Sequence, residues 1–366
     1  MPVSLSTTST ATSKFRPFPV ISFGLQSSNA IPHQVPRFSL FLFHSITFSH
    51  IFVSSYLSLV ERLLLYFFWG GTNPKALRST AVKSSVEKEA VTVGAPANFA
   101  YHVSQFGLQS KAVSAIGDDD LGHELEAIFK DIHDIQSPSF DYQLAKVNYP
   151  TGTVQVTLDE KGIPQYDICE NVAWDNIPYD DALRKLAANT QAVCFGSLAQ
   201  RAAHSRATIH SFLGAIPADA LRVFDINLRQ SFYSREIIEE SLHLCNVLKI
   251  NDEELVVIQH MFGYYDLSAE ATCRRMLNDF DLRMLILTCG VEGSYVFSRT
   301  ETSFLPTPKV TVADTVGAGD SFTGSFVAQI LRGKSIREAH QTAVKVSAFV
   351  CTQNGAMPVI PAGLKD

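Results

Sequence analysis

A short segment near the C-terminus, residues 313–322, places two glycines and two acidic residues where they could bind and transfer an anionic group. Gly317 and Gly319 directly precede a stretch with apolar residues at helical spacing, which Gly333 ends. A side-chain-free turn at a helix N-terminus exposes several backbone N–H groups, which form an anion site together with the positive end of the helix dipole. Asp320 follows this turn, where its carboxylate could take the proton of an attacking hydroxyl group.

Two interpretations of the glycine turn are open on these local grounds. In the first, the amides stabilise a transferring phosphoryl group and Asp320 is a general base. A β-branched side chain in place of Gly319 would then block the phosphate and resist a positive φ angle. In the second, Asp320 only caps the helix and the glycines only make a turn.

The elements that must position this turn are indicated from about residue 91 onward, where short apolar runs alternate with amphipathic stretches. We predict strands at residues 112–116, 154–158, 192–195, 223–226, 247–250, 284–288 and 295–297. We predict helices at residues 96–106, 205–213, 234–245 and 269–280. This alternation predicts a doubly wound α/β fold, in which helices flank a mostly parallel sheet. Ligands of such sheets bind outside the carboxyl ends of the strands.

The string Asp314-Thr315-Val316-Gly317-Ala318-Gly319-Asp320 resembles the C-terminal signature of the ribokinase-like (phosphofructokinase B type) sugar kinases. The resemblance covers roughly residues 93–361 and implies that family's fold, with a small β lid. In the family, the amides of the glycine turn form an anion hole and the last aspartate is the catalytic base. The resemblance therefore assigns these catalytic roles to Gly317, Ala318, Gly319 and Asp320.

A second stretch, Gly94-Ala95-Pro96-Ala97-Asn98, resembles the N-terminal signature of the same family. The resemblance implies that Gly94 and Asn98 bind sugar hydroxyl groups. Pro96 suits the first turn of a helix, so Asn98 would lie near that helix start with its amide free for a ligand. The alternative is that Asn98 is only a local cap.

Other stretches resemble the family's nucleotide and metal sites, and most of them follow predicted strands. The resemblance implies that the following residues lie near ATP: Asn227, Arg229, Thr288, Gly290, Gly293, Asn354 and Gly355. It assigns Mg²⁺, held through water, to Asn251 and Glu254, and a monovalent cation such as K⁺ to Asp314 and Val316. Judged alone, the glycine loop is equally compatible with a plain β-turn. A charged turn without a ligand would be the default for residues 251–254, were it not at the carboxyl end of a strand. Arg229 could be an ordinary surface arginine, but we favour a position near the phosphates.

Within the family, residues 94–103 and 195–201 are most similar to bacterial-type fructokinases. The resemblance implies ATP- and Mg²⁺-dependent phosphorylation of fructose at a primary hydroxyl group. Two alternatives are another sugar or nucleoside kinase of the same fold, and a catalytically impaired relative that only binds nucleotide.

The sequence departs from the family pattern at two places that bind the sugar in the family. The family's first strand, of the form G-E-x-L-x-D, has no counterpart before residue 93, and Val93 replaces the first glycine of the N-terminal signature. A branched side chain there resists positive φ and fills space next to the sugar. We therefore expect weak sugar turnover and an incomplete β lid.

Residues 1–90 differ in character from residues 91–366, which we predict to be the kinase domain. No acidic residue precedes Glu61, and the Ser-rich, acid-poor opening is typical of a transit peptide. Residues 38–60 are long enough to span a bilayer, but their histidines and serines do not favour a membrane anchor. A third interpretation gives residues 1–90 no folded role.

Composition limits the classes of partner and compartment. The net charge of −6 argues against a nucleic-acid partner. The six cysteines include no CxxC pair and suit reduced thiols, so we predict a cytoplasmic protein, or an organellar one if residues 1–90 are a transit peptide. The expected ligands are a sugar and ATP, and a homodimer is an open alternative to a monomer.

Overall fold

The computed structural model describes residues 95–158 and 164–365. Gly94, Val93 and the predicted extension at residues 1–90 lie outside the described residues. Within the described ranges, no helix combines the length and the apolar character that crossing a membrane requires.

Helices and strands alternate along most of the described chain. The strands are β1 (Ser110–Ile116), β2 (Phe140–Lys146), β3 (Val154–Leu158), β4 (Pro164–Ile168), β5 (Ala192–Gly196), β6 (Leu221–Asp225), β7 (Val247–Asn251), β8 (Met284–Thr288), β9 (Ser294–Ser298) and β10 (Thr302–Leu305). The helices are α1 (Ala95–Ser104), α2 (Asp120–Asp131), α3 (Asp181–Ala188), α4 (Ala203–Ala215), α5 (Arg235–Leu244), α6 (Asp252–Phe262), α7 (Ala269–Asp279), α8 (Ala318–Leu331) and α9 (Ile336–Cys351).

The main sheet has six strands in the order β10-β9-β8-β7-β6-β5. Strands β5 to β8 are parallel, while β9 and β10 are added antiparallel at one side. This topology confirms the predicted α/β fold with a mostly parallel sheet. The parallel strands also bring their carboxyl ends to a common edge, where a ligand site is expected.

The sheet is covered by helices on both faces, as the apolar runs of its strands predict. Successive side chains of a strand point to opposite faces. Val247 and Ile286 accordingly pack against α1, α8 and α9, whereas Leu248 and Leu285 pack against α4 to α7. These two clusters cover the two faces of the main sheet, and α8 lies in the one that also holds part of α1.

The remaining described strands form two smaller sheets, which the sequence pattern did not separate from the main one. Strand β1 pairs in parallel with β2, and β3 pairs with β4 in an antiparallel hairpin. Strands β2, β4 and β10 were missed, because polar residues interrupt the apolar runs on which the prediction relied. The β3–β4 hairpin is the candidate for the expected β lid.

Helices α1 and α8 approach each other closely at Gly324. A Cβ atom on Gly324 would lie 2.9 Å from the carbonyl oxygen of Phe99 and 2.9 Å from the Cβ atom of His102. Only a residue without a side chain permits this contact. The crossing places the beginning of α1 next to the first turn of α8.

Candidate active site

A cavity of about 1330 Å³ lies at the carboxyl ends of the parallel strands. The last residue of each of the strands β5 to β8 lines it, namely Gly196, Asp225, Asn251 and Thr288. Ligand pockets usually measure about 300–1,000 Å³, so this cavity has room for more than one small molecule. Its position is the one that the fold predicts.

The first turn of α8 forms part of the cavity wall. Gly317 is the N-cap of the helix and has a left-handed backbone with φ 78°. A Cβ atom on Gly317 would also lie 2.6 Å from the Cβ atom of Ala356. The expectation of a positive φ at Gly319 was wrong, because Gly319 already belongs to α8 and is not among the left-handed residues of the described chain.

Asp320 lies on the cavity wall and does not cap α8. Its Oδ2 atom accepts a hydrogen bond of 2.8 Å from Nδ2 of Asn98, which is buried in α1. The capping interpretation was therefore wrong for Asp320, since Gly317 holds the N-cap position. The Nδ2 group of Asn98 is engaged by Asp320, so the expectation that its whole amide is free was wrong.

The environment of Asp320 disfavours its charged form. Burial at the wall of the cavity raises the pKa of Asp320 to about 6, and the neighbouring Asp225 carboxylate adds to this effect. The hydrogen bond from Asn98 and the charges of Lys249 and Arg229 act in the opposite direction. A carboxyl group with this pKa is suited to accept a proton at neutral pH.

The backbone amides of this turn differ in their availability. The Ala318 N–H donates to the carbonyl oxygen of Thr315 at 3.2 Å. In residues 95–158 and 164–365, no acceptor contacts the N–H groups of Gly319 and Asp320, as expected for the start of a helix. These two donors are therefore available to bind an anion.

A buried ion pair that the sequence did not predict lies beside this turn. Nζ of Lys249 in β7 lies 3.2 Å from Oδ1 of Asp225 at the end of β6, and both side chains are more than nine-tenths buried. A Cβ atom on Gly319 would lie 3.2 Å from the same Nζ atom. A lysine within an otherwise apolar strand was the signal available in the sequence.

Most residues predicted to lie near ATP line the cavity, namely Asn227, Arg229, Thr288, Gly290 and Gly293. The two glycines and the asparagine have positive φ angles, which hold the loops after β6 and β8 in tight turns. Asn354 and Gly355 are not among the residues that line the cavity in the described chain, where Ala356 and Met357 take that position.

The predicted Mg²⁺ ligands are engaged in a capping box at the start of α6. Oδ1 of Asn251 accepts from the Glu254 N–H at 2.7 Å, and Oε2 of Glu254 accepts from the Asn251 N–H at 3.0 Å. Oε1 of Glu254 also accepts from the Leu228 N–H. Both carboxylate oxygens of Glu254 thus accept hydrogen bonds from backbone N–H groups. Asn251 and the exposed Asp252 and Glu253 line the cavity instead.

The predicted cation ligand Asp314 is likewise held by backbone groups. Its Oδ1 atom accepts from the Val316 N–H at 3.0 Å, and its Oδ2 atom accepts from the Gly355 N–H at 3.4 Å. Across the described ranges, no cluster of three or more His, Cys, Asp or Glu side chains could hold a metal ion by itself. The monovalent cation site stays a prediction.

The sequence is similar to several curated sugar kinases. A probable fructokinase-3 of Arabidopsis thaliana is 29% identical over 291 residues, which cover 74% of this chain and 80% of the relative. A fructokinase of Solanum tuberosum is 28% identical over 281 residues, covering 73% of this chain and 82% of the relative.

The fold is similar to those of solved kinases. A fructokinase from Xylella fastidiosa with bound ATP matches with a TM-score of 0.63 and 21% identity, over 74% of this chain and 88% of that chain. A fructokinase from Vibrio cholerae O395 in a fructose-, ADP- and calcium-bound form matches with a TM-score of 0.61 and 23% identity, over 75% and 90%. Residues 79–362 match the family model for pfkB carbohydrate kinases. Since this match includes both helices that meet at Asp320 and spans most of the sequence, the chain belongs to the pfkB family of carbohydrate kinases.

Proposed function

We propose that this chain is an ATP-dependent sugar kinase that phosphorylates fructose at a primary hydroxyl group. The observation that carries the proposal is the position of the Asp320 carboxylate in the cavity. It lies on the same helical turn as the N–H groups of Gly319 and Asp320, which have no acceptor in the described residues. A base and an anion-binding site on successive residues can serve the acceptor and the phosphoryl group at once.

Asp320 acts on the acceptor side of the reaction. With a pKa of about 6 it is mostly deprotonated at neutral pH and can accept a proton from the sugar. The hydroxyl oxygen then forms a bond to the γ-phosphorus, and the bond from that phosphorus to the oxygen that bridges the β- and γ-phosphates of ATP breaks, so that ADP leaves. The proton moves to the Asp320 carboxylate, so that the charge on the attacking oxygen is neutralised as the bond forms.

The N-terminal turn of α8 acts on the phosphoryl group. Negative charge spreads over the non-bridging oxygens during transfer, and fixed N–H donors stabilise it without reorganisation. The amides of Gly319 and Asp320 supply such donors, and the dipole of α8 adds to them.

The nucleotide side of the cavity supports ATP as the phosphoryl donor. Val310, Val312 and Met357 line the cavity and provide apolar surface of the kind on which a purine base packs. Mg²⁺ would neutralise the phosphates of the bound nucleotide. Asn251, Asp252 and Glu253 would hold that ion through water, because Mg²⁺ usually keeps several waters.

A K⁺ ion at Asp314 and the carbonyl oxygen of Val316 is a further part of the proposal. Both Asp314 oxygens already accept a backbone amide, yet each keeps a second lone pair for a cation. Replacing K⁺ by a bulky organic cation in the assay, at constant ionic strength, should lower turnover in the wild-type chain but not in Asp314→Ala.

Fructose is supported by the relatives and by polar groups in the cavity. Both curated relatives described above are named as fructokinases, and one solved neighbour holds fructose and ADP. Asn98, Ser114 and Gln136 line the cavity and carry hydrogen-bonding groups suited to sugar hydroxyls. Another sugar or nucleoside, or nucleotide binding without turnover, are the alternatives to be tested.

The test is release of ADP by the purified full chain with a panel of sugars and nucleosides. Turnover with fructose above all others supports the proposal, and turnover with another acceptor corrects the substrate. Binding of ATP without turnover on any acceptor would support an impaired relative. The same panel applied to residues 91–366 would show whether residues 1–90 contribute to activity.

A further inference from the structure

Lys249 is a charged residue in a place where the fold alone requires an apolar one. Its neighbours in β7 are Val247, Leu248 and Ile250, and all of these positions are buried. Burying an ammonium group is unfavourable unless it is paired and hydrogen-bonded. A buried charge that lines a ligand cavity is therefore a candidate functional group.

The ammonium group of Lys249 has hydrogen-bonding capacity to spare. A lysine carries three N–H donors. Among the described residues, Oδ1 of Asp225 is the acceptor that it contacts, at 3.2 Å. The remaining donors are thus available to a ligand in the cavity.

The same ammonium group lies against the catalytic turn. A Cβ atom on Gly319 would be 3.2 Å from Nζ of Lys249, so the absence of a side chain at Gly319 makes room for the lysine. Gly319 does not need to be glycine for its backbone angles. The ammonium group of Lys249 and the free amides of Gly319 and Asp320 therefore lie next to each other in the cavity wall.

The charges around this point favour a cation beside any phosphoryl group that binds there. Asp225 and Asp320 bring two carboxylates to the cavity wall, and a transferring phosphoryl group adds further negative charge. Arg229, the other cation that acts on Asp320, is exposed in the loop after β6. Lys249 is the buried cation between these anions, where low polarity strengthens its attraction for the phosphoryl oxygens.

We propose that Lys249 is a further catalytic residue, which donates a hydrogen bond to the transferring phosphoryl group while Asp225 holds it in place. The proposal rests on the proposed function. Lys249 keeps its proton throughout, since the proton of the sugar hydroxyl goes to Asp320. The ammonium stabilises the charge that builds on the phosphoryl oxygens as the bond between the γ-phosphorus and the β–γ bridging oxygen of ATP breaks.

Kinetics of the full-length Lys249→Met and Asp225→Asn variants with ATP and fructose provide the first test. Lys249→Met should lower kcat by about 10²–10³, the usual effect of one transition-state donor, with KM for ATP within about threefold. Asp225→Asn should lower kcat by less than tenfold, because the lysine keeps its charge. Equal losses in both variants would indicate that the pair only stabilises the fold and would overturn the proposal.

The double variant Asp225→Asn/Lys249→Met separates the two roles by a second route. It removes both charges, so a purely structural pair would leave a stable enzyme with normal kcat. We expect a stable enzyme that is as slow as Lys249→Met. Lys185→Met, which removes an exposed charge on α3 away from the cavity, is the matched control and should be as active as the wild type.

A binding measurement provides a readout that does not depend on turnover. Titration with ADP and aluminium fluoride, an anionic analogue of the transferring group, should show at least tenfold weaker binding to Lys249→Met, while ADP alone binds normally. Unchanged affinity for the analogue would overturn the proposal. A wild-type chain that turns over no acceptor would instead contradict the proposed function, so the two failures are distinguishable.

Discussion

The side chains of Asn98 and Asp320 are joined by a hydrogen bond of 2.8 Å across a sequence separation of 222 residues. The bond links α1 to the first turn of α8, and the close helix crossing at Gly324 makes it geometrically possible. The amide NH₂ group of Asn98 orients one oxygen of Asp320. In the proposed function, the carbonyl oxygen of Asn98 would accept a hydrogen bond from a sugar hydroxyl, while its NH₂ group positions the base.

Replacing Asp320 by Asn should remove the base with little effect on nucleotide binding. The substitution keeps the size and shape of the side chain but abolishes its ability to accept a proton. We expect kcat to fall by about 10²–10⁴, the usual contribution of general-base catalysis, with ATP affinity within a few-fold. Steady-state kinetics and calorimetric ATP titration measure the two effects, and near-normal turnover would contradict the assignment.

The pH dependence of kcat/KM for the sugar should report the raised pKa of Asp320. The base must be deprotonated, so the rate should fall as pH decreases through about 6. The hydrogen bond from Asn98 favours the charged form and lowers this pKa. Asn98→Ala should therefore move the acidic limb to higher pH, and a limb that moves to lower pH would exclude this arrangement.

Gly317 should tolerate substitution far less well than another left-handed glycine. Gly317→Ala combines the cost of a positive φ, about 1–2 kcal/mol, with a clash against Ala356. Gly333 is a matched control, because its φ is 79° and an added Cβ atom would have nothing within 4 Å. Urea unfolding should show the larger loss for Gly317→Ala, together with loss of activity that Gly333→Ala does not share.

The sequence predicted strands β5 to β9 of the main sheet, because runs such as β8 are apolar and end in a polar residue, but it did not predict the edge strand β10. The sequence did not show why glycine occupies each of the two positions 317 and 319. Gly317 has a left-handed backbone and no room for a Cβ atom beside Ala356, while a Cβ atom on Gly319 would make a tight contact with Lys249. Both contacts join residues that are distant in sequence, which no local pattern reports.

The role of the acidic turn after β7 was also beyond local reasoning. Asn251 and Glu254 form a reciprocal capping box, whose spacing was visible in the sequence. The second oxygen of Glu254 contacts the Leu228 backbone, which is a tertiary contact. A family signature at this spacing therefore serves the backbone in this structure, and its metal role stays a prediction.

Val93 is expected to limit activity toward the sugar, because the family has glycine at this position. Val93→Gly should raise kcat/KM for fructose, with KM for ATP unchanged. Val359→Gly, which makes the same change at an exposed position, is the control and should leave both constants as they are in the wild type. A turnover number near 10 per second, typical of enzymes, in the unmodified full chain would show that Val93 is no obstacle.

Arg201 links the end of the β3–β4 hairpin to the residues that precede α4. Its replacement should therefore destabilise the hairpin. Its guanidinium group pairs with both oxygens of Asp175, at 2.9 and 3.0 Å, and also donates to the carbonyl oxygen of Cys169 just after β4. The rings of Trp174 and Phe232 lie 4.2 and 4.5 Å from the guanidinium carbon. Lysine offers neither the planar fork nor the stacking surface, so Arg201→Lys is not a conservative change.

Because this pair is buried, breaking its geometry should be costly. Removing one partner of a buried pair typically costs about 3–5 kcal/mol. Because Arg201→Lys keeps the charge and loses only the paired geometry and the stacking, we expect it to lower the free energy of unfolding by less than that amount but by more than about 1 kcal/mol. Trp174 lines the cavity, so KM for the sugar should rise more than KM for ATP. Arg184→Lys, in an exposed pair on α3, is the control and should change stability by less than about 1 kcal/mol. The β4 amides should exchange faster in Arg201→Lys but not in Arg184→Lys, which would locate the effect in the hairpin. Unchanged exchange in Arg201→Lys would contradict the stabilising role of Arg201.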